Sequence, residues 1–149
     1  MHAKAFFDTN VLVYLYSNDE PEKQRQALKH IESTENRWLS TQVLSELSNT
    51  LLRKFKLDHQ TVANVIKEMQ ASFQIVTVKP STIEHAIKLT KIYRYSYYDS
   101  LILAAALSQS CPVLYSEDMQ HEQLIEQQTL ILNPFKAAAP ETSSPRTPQ

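Results

Sequence analysis

Four acidic residues stand where a folded chain would bring them to one edge of a sheet. Asp8 and Asp118 each follow a short apolar segment, as residues at the ends of buried strands do. Glu46 falls in the first turns of one predicted helix, and Asp99 begins the most apolar helix of the chain. Carboxylates that are clustered in this way repel one another, so we expect a cation between them.

The predicted ligands all offer oxygen atoms, which hard cations prefer. The sequence therefore predicts Mg²⁺ or Mn²⁺ rather than zinc, held by the catalytic residues Asp8, Glu46, Asp99 and Asp118. A bound ion of this kind activates water and neutralises phosphate oxygens, so the expected reaction is phosphodiester hydrolysis. Taken singly, each acid is better explained as a helix-terminal or solvated residue, and only their combined placement favours the metal. Glu117 leaves open which acid is the fourth, although Asp118 is favoured.

Asn10 and Ser116 lie two residues from an acid, after Asp8 and before Asp118 respectively. Their side chains are predicted to support the site by fixing carboxylate rotamers or holding a metal-bound water. A plain helix cap explains each of them equally well.

The length and composition of the chain indicate a single domain. Residues 1–135 are expected to form it, and residues 136–149, rich in alanine, proline, serine and threonine, are expected to be a disordered tail. The net charge of −1 gives no general basic attraction for nucleic acid, and the absence of glycine excludes glycine-rich phosphate-binding loops. Cys111 has no internal partner, which favours a reducing, cytoplasmic location.

Short apolar segments alternate with helical patterns along the chain. This alternation predicts an α/β fold in which a mostly parallel sheet is flanked by helices. The predicted strands lie near residues 4–8, 37–39, 74–78, 113–115 and 129–132. A capping box over residues 81–84 is expected to begin the fifth helix.

Basic residues near two of the acids are candidates for contacts with a phosphate backbone. Arg53 and Lys54 follow the helix that carries Glu46, and Lys91 and Arg94 precede Asp99. Solvated helix ends explain these cations equally well.

Four segments, taken in order, resemble the PIN-domain nucleases and, more narrowly, the VapC-like toxins of bacterial type II toxin–antitoxin modules. They are Phe7-Asp8-Thr9-Asn10, Ser45-Glu46-Leu47, Tyr98-Asp99-Ser100-Leu101-Ile102 and Ser116-Glu117-Asp118. The resemblance covers residues 3–135. It implies a PIN-like three-layer sandwich with a central parallel sheet of about five strands, and Mg²⁺- or Mn²⁺-dependent cleavage of RNA. It gives acidic roles to Asp8, Glu46, Asp99 and Asp118 and a supporting role to Asn10. It further implies a homodimer and an antitoxin protein that covers the acidic cleft.

Three other functions compete with this interpretation. A PIN-like nuclease outside a toxin module would process RNA with the same residues. A non-catalytic relative would bind RNA or protein, but it would have no need for clustered buried charge. An aspartyl-phosphate phosphatase built on Asp8 would require a second acid two residues later, where Asn10 stands.

Overall fold

The computed structural model describes residues 3–136. Within them, six strands and six α-helices follow one another along the chain, with a short 3₁₀ turn at Tyr14–Tyr16. The strands are β1 Lys4–Phe7, β2 Asn36–Ser40, β3 Gln74–Val76, β4 Val113–Tyr115, β5 Leu124–Ile125 and β6 Thr129–Leu132. The helices are α1 Thr9–Val13, α2 Pro21–Glu32, α3 Thr41–Arg53, α4 His59–Ser72, α5 Pro80–Tyr93 and α6 Tyr97–Ser108.

The strands form one sheet in the order β3-β2-β1-β4-β6-β5. All neighbouring pairs are parallel except β5 and β6. β1 lies inside the sheet, where Phe6 is paired with Trp38 of β2 on one side and with Leu114 of β4 on the other. The predicted α/β class with a mostly parallel sheet is confirmed, with one strand more than expected. That strand, β5, has two residues, which is too short to show a hydrophobic period in the sequence.

The core explains why two segments of the chain are so apolar. Phe6 and Phe7 of β1 are fully buried, and the Phe7 ring stacks on Tyr115 at 5.2 Å between centroids. Helix α6 is buried continuously from Ser100 to Leu107 and packs on α5 and β2. Because neighbouring elements cover every side of α6, it carries no polar face.

Two helix starts differ from the predicted ones. The capping box expected over residues 81–84 is wrong, because α5 begins at Pro80, whose missing N–H is tolerated in a first turn. The Thr82 hydroxyl caps this end of the helix, where it accepts a hydrogen bond from the Lys79 backbone N–H at 3.2 Å. Helix α6 begins at Tyr97, and its cap Ser96 accepts from the Asp99 N–H at 3.1 Å. Asp99 therefore lies in the first turn of α6 and does not begin it.

The tail predicted for residues 136–149 lies, after Lys136, outside the described residues. Between residues 3 and 136, no helix combines the length and the apolar character needed to cross a bilayer.

Candidate active site

A pocket of about 740 Å³ opens where β1 and β4 end. Its lining includes all four acids that the sequence singled out, namely Asp8, Glu46, Asp99 and Asp118. The parallel pairing of the two strands brings their carboxyl ends side by side, and helices α3 and α6 add the other two acids. Sites in parallel sheets commonly form at this edge.

Asp8 is the buried acid of the pocket, since only 4% of it is exposed. It caps the N-terminus of α1, and its Oδ1 accepts from the Thr9 backbone N–H at 2.7 Å. Its Oδ2 accepts from the hydroxyl of Ser116 at 2.8 Å. The Asp8 backbone N–H also donates to the carbonyl of Tyr115 at 2.9 Å, which ties the end of β1 to β4.

The Asn10 amide bridges the segments that follow β1 and β4. Its Nδ2 donates to Asp118 Oδ2 at 2.9 Å and to Asp8 Oδ2 at 3.4 Å. Its Oδ1 accepts from the backbone N–H of Glu117 at 3.2 Å. Both Asn10 and Ser116 thus contact acids of the pocket, and neither caps one of the helices between residues 3 and 136.

Both oxygens of the Glu46 carboxylate accept hydrogen bonds. The Thr9 hydroxyl donates to Oε1 at 2.6 Å, and Gln42 Nε2 donates to Oε2 at 3.0 Å. The same Nε2 atom donates to the carbonyl of Tyr98 at 3.1 Å, so Gln42 joins the helix that carries Glu46 to the helix that carries Asp99. Sequence reasoning missed Thr9 and Gln42, although the i,i+4 spacing of Gln42 and Glu46 is a usable signal.

The two adjacent acids after β4 point to different partners. The Glu117 carboxylate pairs with the ammonium of Lys23 and accepts from the Tyr14 hydroxyl at 2.7 Å. Asp118 is exposed and accepts from Asn10 at the pocket. Among residues 3–136, an ammonium therefore pairs with Glu117, and no cationic side chain pairs with Asp118.

The electrostatics of the pocket oppose a full set of negative charges. Burial raises the pKa of Asp8 from 3.8 to about 7, against the lowering effect of the hydrogen bonds from Ser116 and Thr9, and Asp99 and Glu46 add to the increase. Burial also raises the pKa of Asp99, with further contributions from the negative charges of Asp118 and Glu46. Negative charge from neighbouring acids thus disfavours the ionised forms of Asp8 and Asp99, which is the setting that a bound cation relieves.

The donor set fits Mg²⁺ or Mn²⁺ better than a soft metal. Among residues 3–136, no three Asp, Glu, His or Cys side chains form a ready-made metal cage. Mg²⁺ does not require one, because it is commonly bound through one or two carboxylates and keeps several waters. Oxygen donors around an open pocket match that mode of binding.

Of the four basic residues singled out in the sequence, Lys54 lines the pocket. Arg53, Lys91 and Arg94 are exposed but are not part of the pocket lining.

Fold and pocket together define the class of protein: an α/β domain with an acidic pocket at the carboxyl ends of its inner parallel strands. The family model of the PIN domain matches residues 5–126, and the chain belongs to that family. No curated protein matched the chain.

Several solved structures share this fold. A toxin–antitoxin complex from Klebsiella pneumoniae is similar with a TM-score of 0.68 and 21% identity, over 89% of this chain and 99% of that one. The VapC20 toxin of Mycobacterium tuberculosis, which cleaves the sarcin–ricin loop, gives a TM-score of 0.64 and 19% identity, over 76% and 89% of the two chains. VapBC2 from Rickettsia felis, bound to a promoter DNA fragment, gives a TM-score of 0.61 and 16% identity, over 89% of this chain and 100% of that one.

Proposed function

We propose that this PIN-domain protein is a Mg²⁺- or Mn²⁺-dependent endoribonuclease, and that it is the toxin of a toxin–antitoxin pair. The observation that carries the proposal is the pocket itself, which is lined by four carboxylates from four separate segments and in which neighbouring negative charges raise the pKa of Asp8 and of Asp99. Clustered acids of this kind destabilise a folded protein unless they serve a charged ligand.

Each side chain has a distinct part in the proposed mechanism. Asp8, Asp99, Asp118 and Glu46 would hold the ion together, one or two of them directly and the others through its waters. The bound ion supplies activation of water and neutralisation of the phosphate that is attacked. Ser116 fixes the rotamer of Asp8, and Asn10 keeps the carboxylates of Asp8 and Asp118 at the same edge.

The RNA backbone would pass the pocket on the side of Lys54, the one candidate cation of the four that lines it. Lys54 neutralises a phosphate next to the one that is cut, and it supplies affinity without sequence preference. Arg53, Lys91 and Arg94 are proposed as weaker contacts farther along the RNA. They are exposed, so solvent screens their charges, and holding a long side chain in one position costs entropy.

The toxin role rests on the similar structures, one of which is a toxin–antitoxin complex and another a VapC toxin. We propose that a cognate antitoxin protein covers the acidic pocket and that the protein forms a homodimer. Sedimentation velocity of the purified chain tests the homodimer, and a monomer at high concentration would contradict it.

The nuclease proposal is tested with a labelled single-stranded RNA and purified protein. Cleavage is expected with Mn²⁺ and is expected to stop with EDTA. Asp99→Asn removes one proposed ligand at a partly buried position, and it should abolish cleavage while the circular dichroism spectrum stays that of the parent. Glu84→Gln, an exposed change on α5 away from the pocket, is the matched control and should cleave like the parent.

The outcomes separate the competing functions. Cleavage that survives EDTA or Asp99→Asn would contradict the proposal and indicate a contaminating nuclease. Retained RNA binding without cleavage would favour a non-catalytic relative. Cleavage without any effect of the expressed protein on bacterial growth would favour an RNA-processing nuclease outside a toxin module.

A further inference from the structure

Lys23 of α2 lies behind the acidic pocket and contacts the segment that follows β4. Its ammonium pairs with Glu117 Oε2, and 31% of the Lys23 side chain and 24% of the Glu117 side chain are exposed. The same ammonium lies over the ring of Tyr14 at 5.0 Å and over the ring of Phe135 at 5.5 Å. The Tyr14 hydroxyl donates to the second oxygen of Glu117 at 2.7 Å. Both oxygens of this one carboxylate are therefore engaged by groups outside the proposed ligand set.

We propose that Lys23 is a positioning residue of the active site, which acts through Glu117 to set Asp118 and Asn10 for binding the metal ion. This inference rests on the proposed function. Lys23 touches neither the pocket acids of that function nor the substrate, and sequence reasoning did not single it out.

The hydrogen bonds show how an effect of Lys23 would reach the pocket. The Glu117 side chain is held by Lys23, and the Glu117 backbone N–H donates to Asn10 Oδ1 at 3.2 Å. That bond orients the Asn10 amide so that its Nδ2 faces Asp118 at 2.9 Å and Asp8 at 3.4 Å. A shift of residue 117 would therefore turn the amide and release the carboxylate of Asp118.

Electrostatics gives the same pair a second role. Glu117 lines the pocket together with the four proposed ligands. Without a cation at its side, its carboxylate would be free to swing toward the metal and compete with Asp118 for it. The hydrogen bond from Lys23 to Glu117 raises the pKa of Lys23, so the ammonium stays charged at the pH values used in assays. Lys23 thus keeps one negative group out of a site that already holds four.

Direct measurement of metal binding tests this inference. Lys23→Met keeps an unbranched side chain that is one atom shorter and removes its charge. We expect its Mn²⁺ dissociation constant, measured by calorimetry without RNA, to rise by up to about 10-fold, the lower end of the effect of losing a group bonded directly to a ligand, because Lys23 acts one residue farther out. We expect kcat to fall with KM for RNA little changed, because Lys23 is not itself part of the pocket lining. Lys23→Arg keeps the charge and should retain the Mn²⁺ affinity and the kcat of the parent.

Two further variants distinguish positioning from general stability. In a Glu117→Ala background, Lys23→Met should have no additional effect on Mn²⁺ affinity, because the partner through which it acts is absent. Lys23→Glu combined with Glu117→Lys should recover most of the affinity that either change loses alone. If Lys23→Met fails to fold, the double variant Lys23→Glu, Glu117→Lys provides the test. A double variant that folds but binds Mn²⁺ as weakly as either single variant overturns the inference.

The failure of this inference differs from the failure of the proposed function. A parent protein that binds Mn²⁺ and cleaves RNA, with Lys23→Met equal to it in both, overturns the role of Lys23 alone. A lower melting temperature with unchanged Mn²⁺ affinity also overturns it and shows a purely structural ion pair. A parent that neither binds Mn²⁺ nor cleaves RNA rejects the proposed function together with this inference.

Discussion

Asp8→Asn should stabilise the metal-free protein at alkaline pH and destabilise it at acid pH. Asp8 has a pKa of 3.8 in the unfolded chain and, because it is buried, about 7 in the folded protein. Between these values the folded protein holds a proton that the unfolded chain has released. The free energy of unfolding of the parent therefore falls as the pH rises from 4 to 7. Above pH 7 the ionised Asp8 carboxylate destabilises the folded protein most.

The magnitude follows from the size of this pKa shift. A difference of about three units, at ~1.4 kcal/mol each, means that ionised Asp8 opposes folding by up to about 4 kcal/mol at pH 8. Asparagine cannot ionise, but it has one oxygen where Asp8 accepts from both Thr9 and Ser116, and the lost acceptor costs about 1–2 kcal/mol. The variant should therefore be more stable than the parent by about 2 kcal/mol at pH 8 and less stable by about 1–2 kcal/mol at pH 4.

Urea unfolding in EDTA, followed by circular dichroism at several pH values, measures the effect. Asn49→Ser provides the control, because this exposed pocket residue carries no titrating group and its effect should not change with pH. An Asp8→Asn variant that is less stable than the parent at pH 8 would refute the burial argument. Saturating Mn²⁺ should raise the stability of the parent and leave that of Asp8→Asn unchanged, because only the parent keeps the buried ligand.

Three other changes have defined outcomes. Phe6→Ala empties a fully buried position of the central strand and should lower the free energy of unfolding by about 3–5 kcal/mol in urea titrations. Gln42→Ala removes the hydrogen bonds that join Glu46 to the Tyr98 carbonyl. Mn²⁺ affinity in calorimetry should fall about 10-fold while the melting temperature changes little. Unchanged affinity would contradict a role of Gln42 in holding Glu46. Truncation after Lys136 should leave RNA cleavage unchanged, because the last described core contact is that of Phe135 with Tyr14; a large loss of activity would show that residues 137–149 matter.

Local patterns in the chain were sufficient to predict the layout of the fold. Short apolar runs such as the one before Asp8 favour buried strands, and their alternation with amphipathic helices favours a mostly parallel sheet. Because parallel strands end at a common edge of a sheet, this layout predicts that Asp8 and Asp118 lie close together. The positions of Glu46 and Asp99 near helix starts followed from capping residues and hydrophobic periods.

The tertiary structure decided what surrounds each acid. Thr9, Gln42 and Lys23 come from three different elements, and no sequence period relates Lys23 to Glu117, 94 positions away. The distant Lys23 ammonium holds Glu117 and the Asn10 amide holds Asp118, and the local sequence shows neither contact. Strand β5 likewise forms because β6 offers an edge to pair with, since two residues carry no pattern of their own. A residue's type and local period therefore determined where the acids lie, whereas contacts between distant segments determined their orientation, burial and charge.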